Sequence, residues 1–145
     1  MTAKEDFWLA MSRGGAVVEL DRSECVDLLG AGTVGRLGYV TDDGPRVVPV
    51  NYVLAEDRVV FRTTAYGEVA RAASGRRIAF EVDDVDEFFR AGWSVLVVGT
   101  ADLLSEADLG RLSPRTWPEP WAAGPRTLFL QIPVGDVTGR RVLPA

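Results

Sequence analysis

The sequence contains no histidine and only one cysteine among its 145 residues. Without histidine, the chain cannot supply a Ser-His-Asp or Cys-His catalytic arrangement, nor hold zinc, iron or haem through an imidazole. The single Cys25 excludes an intrachain disulfide and a metal site built from cysteines alone. Cys25 lies in the segment SECVDLL, which predicts a helix, and a small buried thiol is favoured there over a reactive one.

Long apolar runs and an excess of basic residues are also missing. No stretch approaches the roughly 20 apolar residues that cross a bilayer, and the N-terminal segment has no apolar core of signal-peptide length. The formal net charge of −5 argues against nucleic acid as a main partner. The acidic residues between 83 and 87 are sequence neighbours whose side chains diverge, so no metal site is predicted. The sequence therefore predicts a cytoplasmic protein with neither a membrane nor a nucleic acid as partner.

The length of the chain is typical of one domain, and its composition of 47% hydrophobic and 26% charged residues is that of a globular protein. Residues 1–19 are predicted to form an N-terminal arm or short helix outside the main fold, interrupted by Gly14 and Gly15. Residues 20–145 are predicted to form a single domain, which is long enough to bury one core.

Turn residues divide the middle of the chain into an antiparallel meander. The turn DDGP joins predicted strands at 34–41 and 46–54, and AED leads into a third at 58–64. Connections this short cannot cross over to a parallel partner. Pro49 lies inside the second strand and lacks a ladder donor, so it predicts a bulge or an edge. Two interpretations stay open there: an ordinary edge strand, or a place where a ligand approaches the backbone.

The remaining pattern completes a mainly β architecture. Asp21 and Glu24 form a capping box that predicts a helix ending at Gly30. The other predicted elements are helices at 67–74 and 105–112 and strands at 77–83, 93–104, 127–134 and 137–143. Seven strands, mostly joined to their neighbours, predict an antiparallel barrel with a few short helices.

Two aromatic segments lie outside this pattern. Phe88 and Phe89 stand in the acidic connection 84–92, and Trp117 and Trp121 stand in the long loop SPRTWPEPWAAGPR. Adjacent exposed phenylalanines are unfavourable on a monomer surface, so they are expected to pack over the core or across a subunit boundary. The four aromatic residues together predict a two-fold homodimer.

The junction after the third strand combines groups that suit a phosphate. Arg62, Thr63 and Thr64 end the strand, and Gly67 opens a short helix. A guanidinium, two hydroxyls and the free amides of a helix start can together hold an anion. The alternative is that these residues merely finish an exposed strand.

The order of these segments resembles that of the pyridoxamine 5'-phosphate oxidase-like flavoproteins, and most closely their short bacterial branch that includes nitroimidazole-resistance proteins. The resemblance covers roughly Leu20 to Val142. It is carried by GRLGYV at 35–40, VPVNYV at 48–53, FRTTAYG at 61–67, AFEVDD at 79–84, GWSVLVVGTA at 92–101 and VTGRR at 137–141. It implies an antiparallel FMN-binding split β-barrel.

The resemblance also implies a flavin site at the interface of a homodimer. Arg62, Thr63 and Thr64 would hold the 5'-phosphate of FMN. The isoalloxazine would lie along the strand residues Val48, Pro49, Val50 and Asn51, and the partner strand would contribute Trp93 and Ser94. Trp93 is equally compatible with a core aromatic. Arg140 or Arg141 would approach the ring, or the two would form a solvated charged pair. Tyr66 could cover the pocket, and no residue stands out as a catalyst.

One position departs from the family pattern. Relatives usually place a lysine one residue after the glycine of the FRTTAYG segment, where this chain has Glu68. A carboxylate there would repel a phosphate at close range. Either Glu68 turns outward while Arg62 and Arg71 bind the phosphate, or the site binds FMN weakly.

The resemblance implies an FMN-dependent oxidoreductase that acts on a small organic substrate. A nicotinamide reductant would dock transiently, since the chain has no dinucleotide-binding glycine fingerprint. The alternative is a non-enzymatic dimer of the same fold that binds a cofactor or a partner, using a deazaflavin or no cofactor at all.

Overall fold

The computed structural model describes residues 2–6 and 14–145. Within these ranges the chain forms nine strands and four helices. The strands are β1 (Val17–Leu20), β2 (Val34–Thr41), β3 (Gly44–Ala55), β4 (Arg58–Thr63), β5 (Arg77–Asp86), β6 (Ala91–Thr100), β7 (Asp102–Leu103), β8 (Leu128–Pro133) and β9 (Asp136–Val142). The helices are residues 3–6, α1 (Arg22–Ala31), α2 (Glu68–Ala73) and α3 (Glu106–Arg111), and a 3₁₀ turn spans Pro114–Thr116.

The strands follow one another across a single sheet in the order β1-β9-β6-β5-β2-β3-β4-β8-β7. Neighbouring strands are antiparallel, and the predicted meander of β2, β3 and β4 is confirmed. Among the described residues β1 and β7 do not pair with each other, so the sheet is not closed. The predicted mainly β, antiparallel split-barrel architecture is confirmed.

The two halves of the sheet part along β3. Residues 44–51 of β3 pair with β2, whereas residues 52–55 pair with β4. At the end of β4, Arg62 and Thr63 pair with β8 on the far side. An opening therefore lies between residues 44–51 of β3 and residues 62–63 of β4, and we call it the split.

The hydrophobic core lies on one face of the sheet and is covered by α1. The capping box of Asp21 and Glu24 begins this helix, as predicted, with Asp21 Oδ1 accepting from the Glu24 amide at 2.9 Å. Tyr52 donates its hydroxyl proton to the carbonyl of Leu29 at 2.6 Å, which ties the helix to β3. Cys25 is fully buried, and this burial, with Asp21 and Glu24 nearby, raises the pKa of its thiol. The prediction that Cys25 is a buried hydrophobe is confirmed.

The opposite face of β1, β9, β6 and β5 is open, and we call it the outer face. The strand register aligns its side chains in rows, one of which is apolar and contains Val85, Gly92, Val142 and Val17. The next row is polar and contains Asp83, Ser94, Arg140 and Glu19. A concavity of about 940 Å³ lies over these rows and over Leu96.

Two short strands extend the predicted set of seven. β1 begins at Val17, inside the segment predicted as the arm, and pairs with β9. Four residues are too few to show a periodicity, so this strand is defined by its partner. The predicted strand 93–104 ends at Thr100, where Ala101 bridges to Ser74 and β7 moves on to pair with β8. The part of the predicted arm at residues 7–13 lies outside the described residues.

The predicted connection 84–92 is a tight hairpin. β5 continues through Asp86 and β6 begins at Ala91, so only four residues form the turn. Phe88 and Phe89 stand at its tip with 86% and 58% of their surfaces exposed, in edge-on contact with each other. The expectation that these two phenylalanines pack over the core is therefore wrong, and the other expectation, a subunit boundary, stays a prediction. Among the described residues, no helix combines the length and apolar character needed to cross a bilayer.

Candidate functional site

Arg62 is held in one orientation beside the split. Its Cζ lies 5.0 Å from the centroid of the Phe129 ring, and its Nε donates to the carbonyl of Arg126 at 3.0 Å. Phe129 packs edge-on against Trp117, with ring centroids 5.1 Å apart. No acceptor in the described part of the chain takes a hydrogen bond from Nη1 or Nη2 of Arg62. The guanidinium is therefore stacked and anchored while its outer donors stay available.

The loop at residues 113–127, which we call the tryptophan loop, contacts both borders of the split. Asn51 Oδ1 accepts from the amide of Trp121 at 2.9 Å on the β3 side. Thr64 Oγ1 donates to the carbonyl of Pro125 at 3.1 Å on the β4 side. Two residues of the predicted site therefore bind this loop, whose tryptophans the sequence had linked only to a homodimer.

The turn between β4 and α2 brings a second arginine to the same region. Arg71 Nη1 donates to the carbonyl of Tyr66 at 2.7 Å, so its side chain folds back toward the end of β4. Tyr66 has a φ of 65°, a left-handed conformation that is strained for a bulky residue, and the residue is 89% exposed. The turn thus holds Tyr66 out in solvent.

Glu68 is tied to β2. Its Oε1 accepts a hydrogen bond of 2.7 Å from the hydroxyl of Tyr39, a residue that is 4% exposed. Burial raises the pKa of Tyr39 to about 12, the bond to Glu68 and its charge act in the same direction, and Arg46 opposes the shift. The carboxylate of Glu68 therefore has a structural partner, which neither of the two expectations included.

Three arginines at this end of the molecule form no ion pair within the described part of the chain, although the carboxylate of Glu68 lies in the same turn. The ion pairs in the described part of the chain involve Arg36, Arg58, Arg77 and Arg111. Arg62, Arg71 and Arg126 instead bind backbone carbonyls. In a protein with a net charge of −5, three such cations around one turn and one loop favour a bound anion.

The open edge of β3 presents backbone groups to the split. Tyr52 donates its amide to Thr33 on the β2 side, and amide directions alternate along a strand, so Pro49 and Asn51 face the split. Pro49 has no N–H to leave unpaired there and sits at an edge position, as predicted. Val48 and Val50 pack against the core. A ligand in the split would meet the backbone of these residues.

The last two predicted site residues lie in another part of the sheet. Strands β5, β2 and β3 separate β6 from β4. Trp93 packs partly against the core and also lines the concavity, as do Ser94 and Arg140. One chain brings residues 48–51 and 62–64 to the same opening, whereas Trp93 and Ser94 line the concavity of the outer face.

Comparison with known proteins identifies the relationship. The family model described as pyridoxamine 5'-phosphate oxidase matches residues 21–141. The chain belongs to this family. The resemblance expected from the sequence is confirmed.

Three similar proteins cover most of the chain. The uncharacterized protein Rv0080 of Mycobacterium tuberculosis is 33% identical over an alignment of 132 positions that covers 88% of this chain and 86% of that protein. The structure of the FAD binding protein from Mycobacterium smegmatis is 33% identical, with a TM-score of 0.76, and covers 88% of this chain and 100% of that one. A FAD-binding protein from Mesorhizobium loti is 25% identical, with a TM-score of 0.70, covering 89% and 98% of the two chains.

The outer face of this family member holds a pair of carboxyl groups that sequence reasoning missed. Oε1 of Glu81 is buried without a hydrogen-bond partner among the described residues. Burial raises the pKa of Glu81 to about 7, Asp83 acts in the same direction by hydrogen bonding and charge, and Arg36 opposes the shift. Arg36 binds Asp83 instead, at 3.2 Å. In the sequence, Glu81 was only one residue of the predicted strand 77–83.

Proposed function

We propose that this protein binds a flavin nucleotide with its phosphate at Arg62 and uses it to oxidise or reduce a small organic substrate. The observation that carries the proposal is the anchored guanidinium of Arg62, stacked on Phe129 beside the split with both Nη groups free of protein acceptors in the described chain. An arginine held in this way suits a phosphate, because its donors form a planar fork. The FAD-binding proteins among the relatives support a flavin as the ligand.

The residues around the split fit such a ligand. Arg62 and the hydroxyl of Thr63 would hold the phosphate, with Arg71 adding charge from the following turn. The hydroxyl of Thr64 already donates to Pro125 and can still accept. The edge of β3 from Val48 to Asn51 would lie along the ring system, offering carbonyls at Pro49 and Asn51. Glu68 opposes the phosphate charge, but its carboxylate is engaged by Tyr39.

A bound flavin would supply the hydride-transfer chemistry. The residues of this chain would bind and shield it. Arg62 would fix the phosphate, the β3 edge would orient the ring, and the tryptophan loop would keep water from one side of the split. A nicotinamide reductant would dock transiently. In the cytoplasm, where the sequence predicts the protein to be, such reductants are the natural electron source.

The same proposal includes a two-fold homodimer in which the outer face of one protomer completes the site of the other. Two observations support it. Trp93 and Ser94 lie on β6, separated by three strands from the strand of Arg62 in the order of the sheet, and both line the concavity of the outer face. The outer face also exposes an apolar row at Val17 and Val85, which are 64% and 65% exposed. An uncovered apolar face of this kind is typical of a subunit interface.

Flavin titration of the purified apoprotein tests the binding proposal. Because a hydrogen bond to a charged group contributes about 1.5–3 kcal/mol, Arg62→Ala should weaken the binding of FMN and FAD by roughly tenfold to 150-fold. Arg62→Lys keeps the positive charge but not the planar pair of donors, so its flavin affinity should lie between those of the parent protein and Arg62→Ala. Arg77→Ala is the matched control, since Arg77 is an exposed arginine that binds Asp136 at 3.1 Å.

Two outcomes would change this conclusion. If Arg62→Ala binds both flavins as tightly as the parent protein, the phosphate lies elsewhere. If the flavin binds but neither NADH nor NADPH reduces it, the protein is the non-enzymatic cofactor-binding dimer and not an oxidoreductase. A deazaflavin is tested for binding and reduction in the same way.

A further inference from the structure

The tryptophan loop holds one aromatic ring inward and one outward. Trp117 packs edge-on against Phe129, and the neighbouring Pro118 is fully buried, so this part of the loop is anchored to the body of the protein. Trp121 lies four residues further on and is 76% exposed. A large apolar ring on an anchored loop costs free energy when it faces water, and such a ring is typical of a binding surface.

The backbone that carries Trp121 is fixed on both sides. Its amide donates to Asn51 Oδ1 at 2.9 Å, at the border of the split. Arg126 Nη1 donates to the carbonyls of Ala122 and Ala123 at 3.2 and 3.0 Å, which closes the segment after Trp121 on itself. The carbonyl of Arg126 then accepts from Nε of Arg62 at 3.0 Å. Trp121 is therefore held at a set position relative to the guanidinium of Arg62.

Two cations, Arg62 and Arg126, lie between the split and Trp121. Neither Arg62 nor Arg126 is within salt-bridge distance of a carboxylate in the part of the chain that the structure describes. A mononucleotide phosphate would engage Arg62, with Arg71 nearby, and would not extend to Arg126. A diphosphate would extend from Arg62 toward Arg126. The group attached to its second phosphate would then lie at the tryptophan loop.

We propose that the tryptophan loop is the binding site for the adenosine monophosphate half of FAD, with the adenine ring stacked on Trp121 and the second phosphate beside Arg126. This inference rests on the proposed flavin function and specifies its ligand as the dinucleotide. Every nucleobase presents a flat π-face, so an exposed indole binds it without needing a hydrogen-bond pattern. The loop would then make the site prefer FAD over FMN.

Calorimetric titration of the apoprotein with FAD and, separately, with FMN tests the inference. The parent protein should bind FAD more tightly than FMN. Trp121→Ala should weaken FAD binding by about 5- to 150-fold, the range for loss of one base–aromatic stack, and leave FMN binding unchanged. Trp121→Phe keeps a smaller ring and should recover part of the loss. FMN serves as the internal control for folding of each variant, because it shares only the flavin half.

The result separates this inference from the proposed function. If the parent protein binds FMN and FAD equally well, or if Trp121→Ala weakens both to the same extent, the adenine site is wrong while flavin binding stands. If neither flavin binds to the parent protein, the proposed function fails first and the adenine site fails with it.

Discussion

The hydroxyl of Tyr39 donates a hydrogen bond of 2.7 Å to Oε1 of Glu68, which joins β2 to the first residue of α2. The sequence resemblance leads one to expect a lysine at this position, and here a carboxylate accepts from a buried phenol. Glu68 therefore has two effects. It satisfies Tyr39, and it places a negative charge one turn before Arg71 at the end of the molecule where we propose a phosphate.

Glu68→Gln should separate these two effects. Glutamine keeps an oxygen acceptor for Tyr39 and removes the charge, so flavin affinity should rise by a few tenths to about 1 kcal/mol while stability changes little. Glu68→Lys should also raise affinity, but it leaves the Tyr39 hydroxyl buried without an acceptor and should lower the free energy of unfolding by about 1–3 kcal/mol. Flavin titration and urea denaturation measure the two quantities.

The double variant Tyr39→Phe/Glu68→Lys is the control. With the hydroxyl removed, the cost to stability should be smaller than for Glu68→Lys alone. Equal costs in the two variants would show that the bond between Tyr39 and Glu68 does not stabilise the fold.

Glu81 should make stability depend on pH. Its pKa is raised from an ordinary value of 4.5 to about 7, chiefly by burial. Between these two values the folded protein binds the proton more strongly than the unfolded chain does, so the free energy of unfolding should fall as pH rises from about 4.5 to 7. Above pH 7 this contribution should level off. Glu81→Gln does not titrate and should give a flatter curve in urea denaturation across the same range. Parallel curves for the two proteins would argue against a raised pKa.

Leu96 tests whether the outer face is a subunit interface. It is 40% exposed on β6, between Glu81 and Thr138 in the strand register. Light scattering should give the parent protein twice its chain mass of 15.8 kDa, and Leu96→Asp should shift it toward that single mass. Leu103→Asp on β7, where the leucine is 54% exposed at the other edge of the sheet, is the matched control and should stay dimeric. A parent protein of single-chain mass at micromolar concentration would exclude the dimer.

Two glycines of β2 should respond differently to alanine. A Cβ on Gly35 would lie 2.2 Å from Cζ of Phe80, a fully buried ring, so Gly35→Ala should destabilise the fold by about 1–3 kcal/mol. A Cβ on Gly38 would meet the Ala79 Cβ at an ordinary 3.6 Å, so Gly38→Ala should be neutral or stabilise by up to about 1 kcal/mol. Thermal denaturation of both variants gives the comparison, and similar losses in the two would contradict the close packing of Phe80 on Gly35.

Local sequence patterns were sufficient for most of the fold. The turns DDGP and AED lie between apolar runs too close together for a crossover, so β2, β3 and β4 could only form an antiparallel meander. The capping box at Asp21 likewise depends on residues three positions apart and is present in the structure. Such features are encoded within a few residues, which is why they could be predicted without knowing what packs against them.

Tertiary packing decided the features that depend on residues distant in sequence. β1 is a strand because β9 pairs with it, and Arg62 is anchored by Phe129 and the Arg126 carbonyl, more than 60 positions away. The partner of Glu68 proved to be Tyr39, 29 positions earlier in the chain. The residue types of the candidate site were visible in the sequence. Their hydrogen bonds, and the raised pKa of Glu81, follow from burial and from contacts between distant strands, which no local pattern contains.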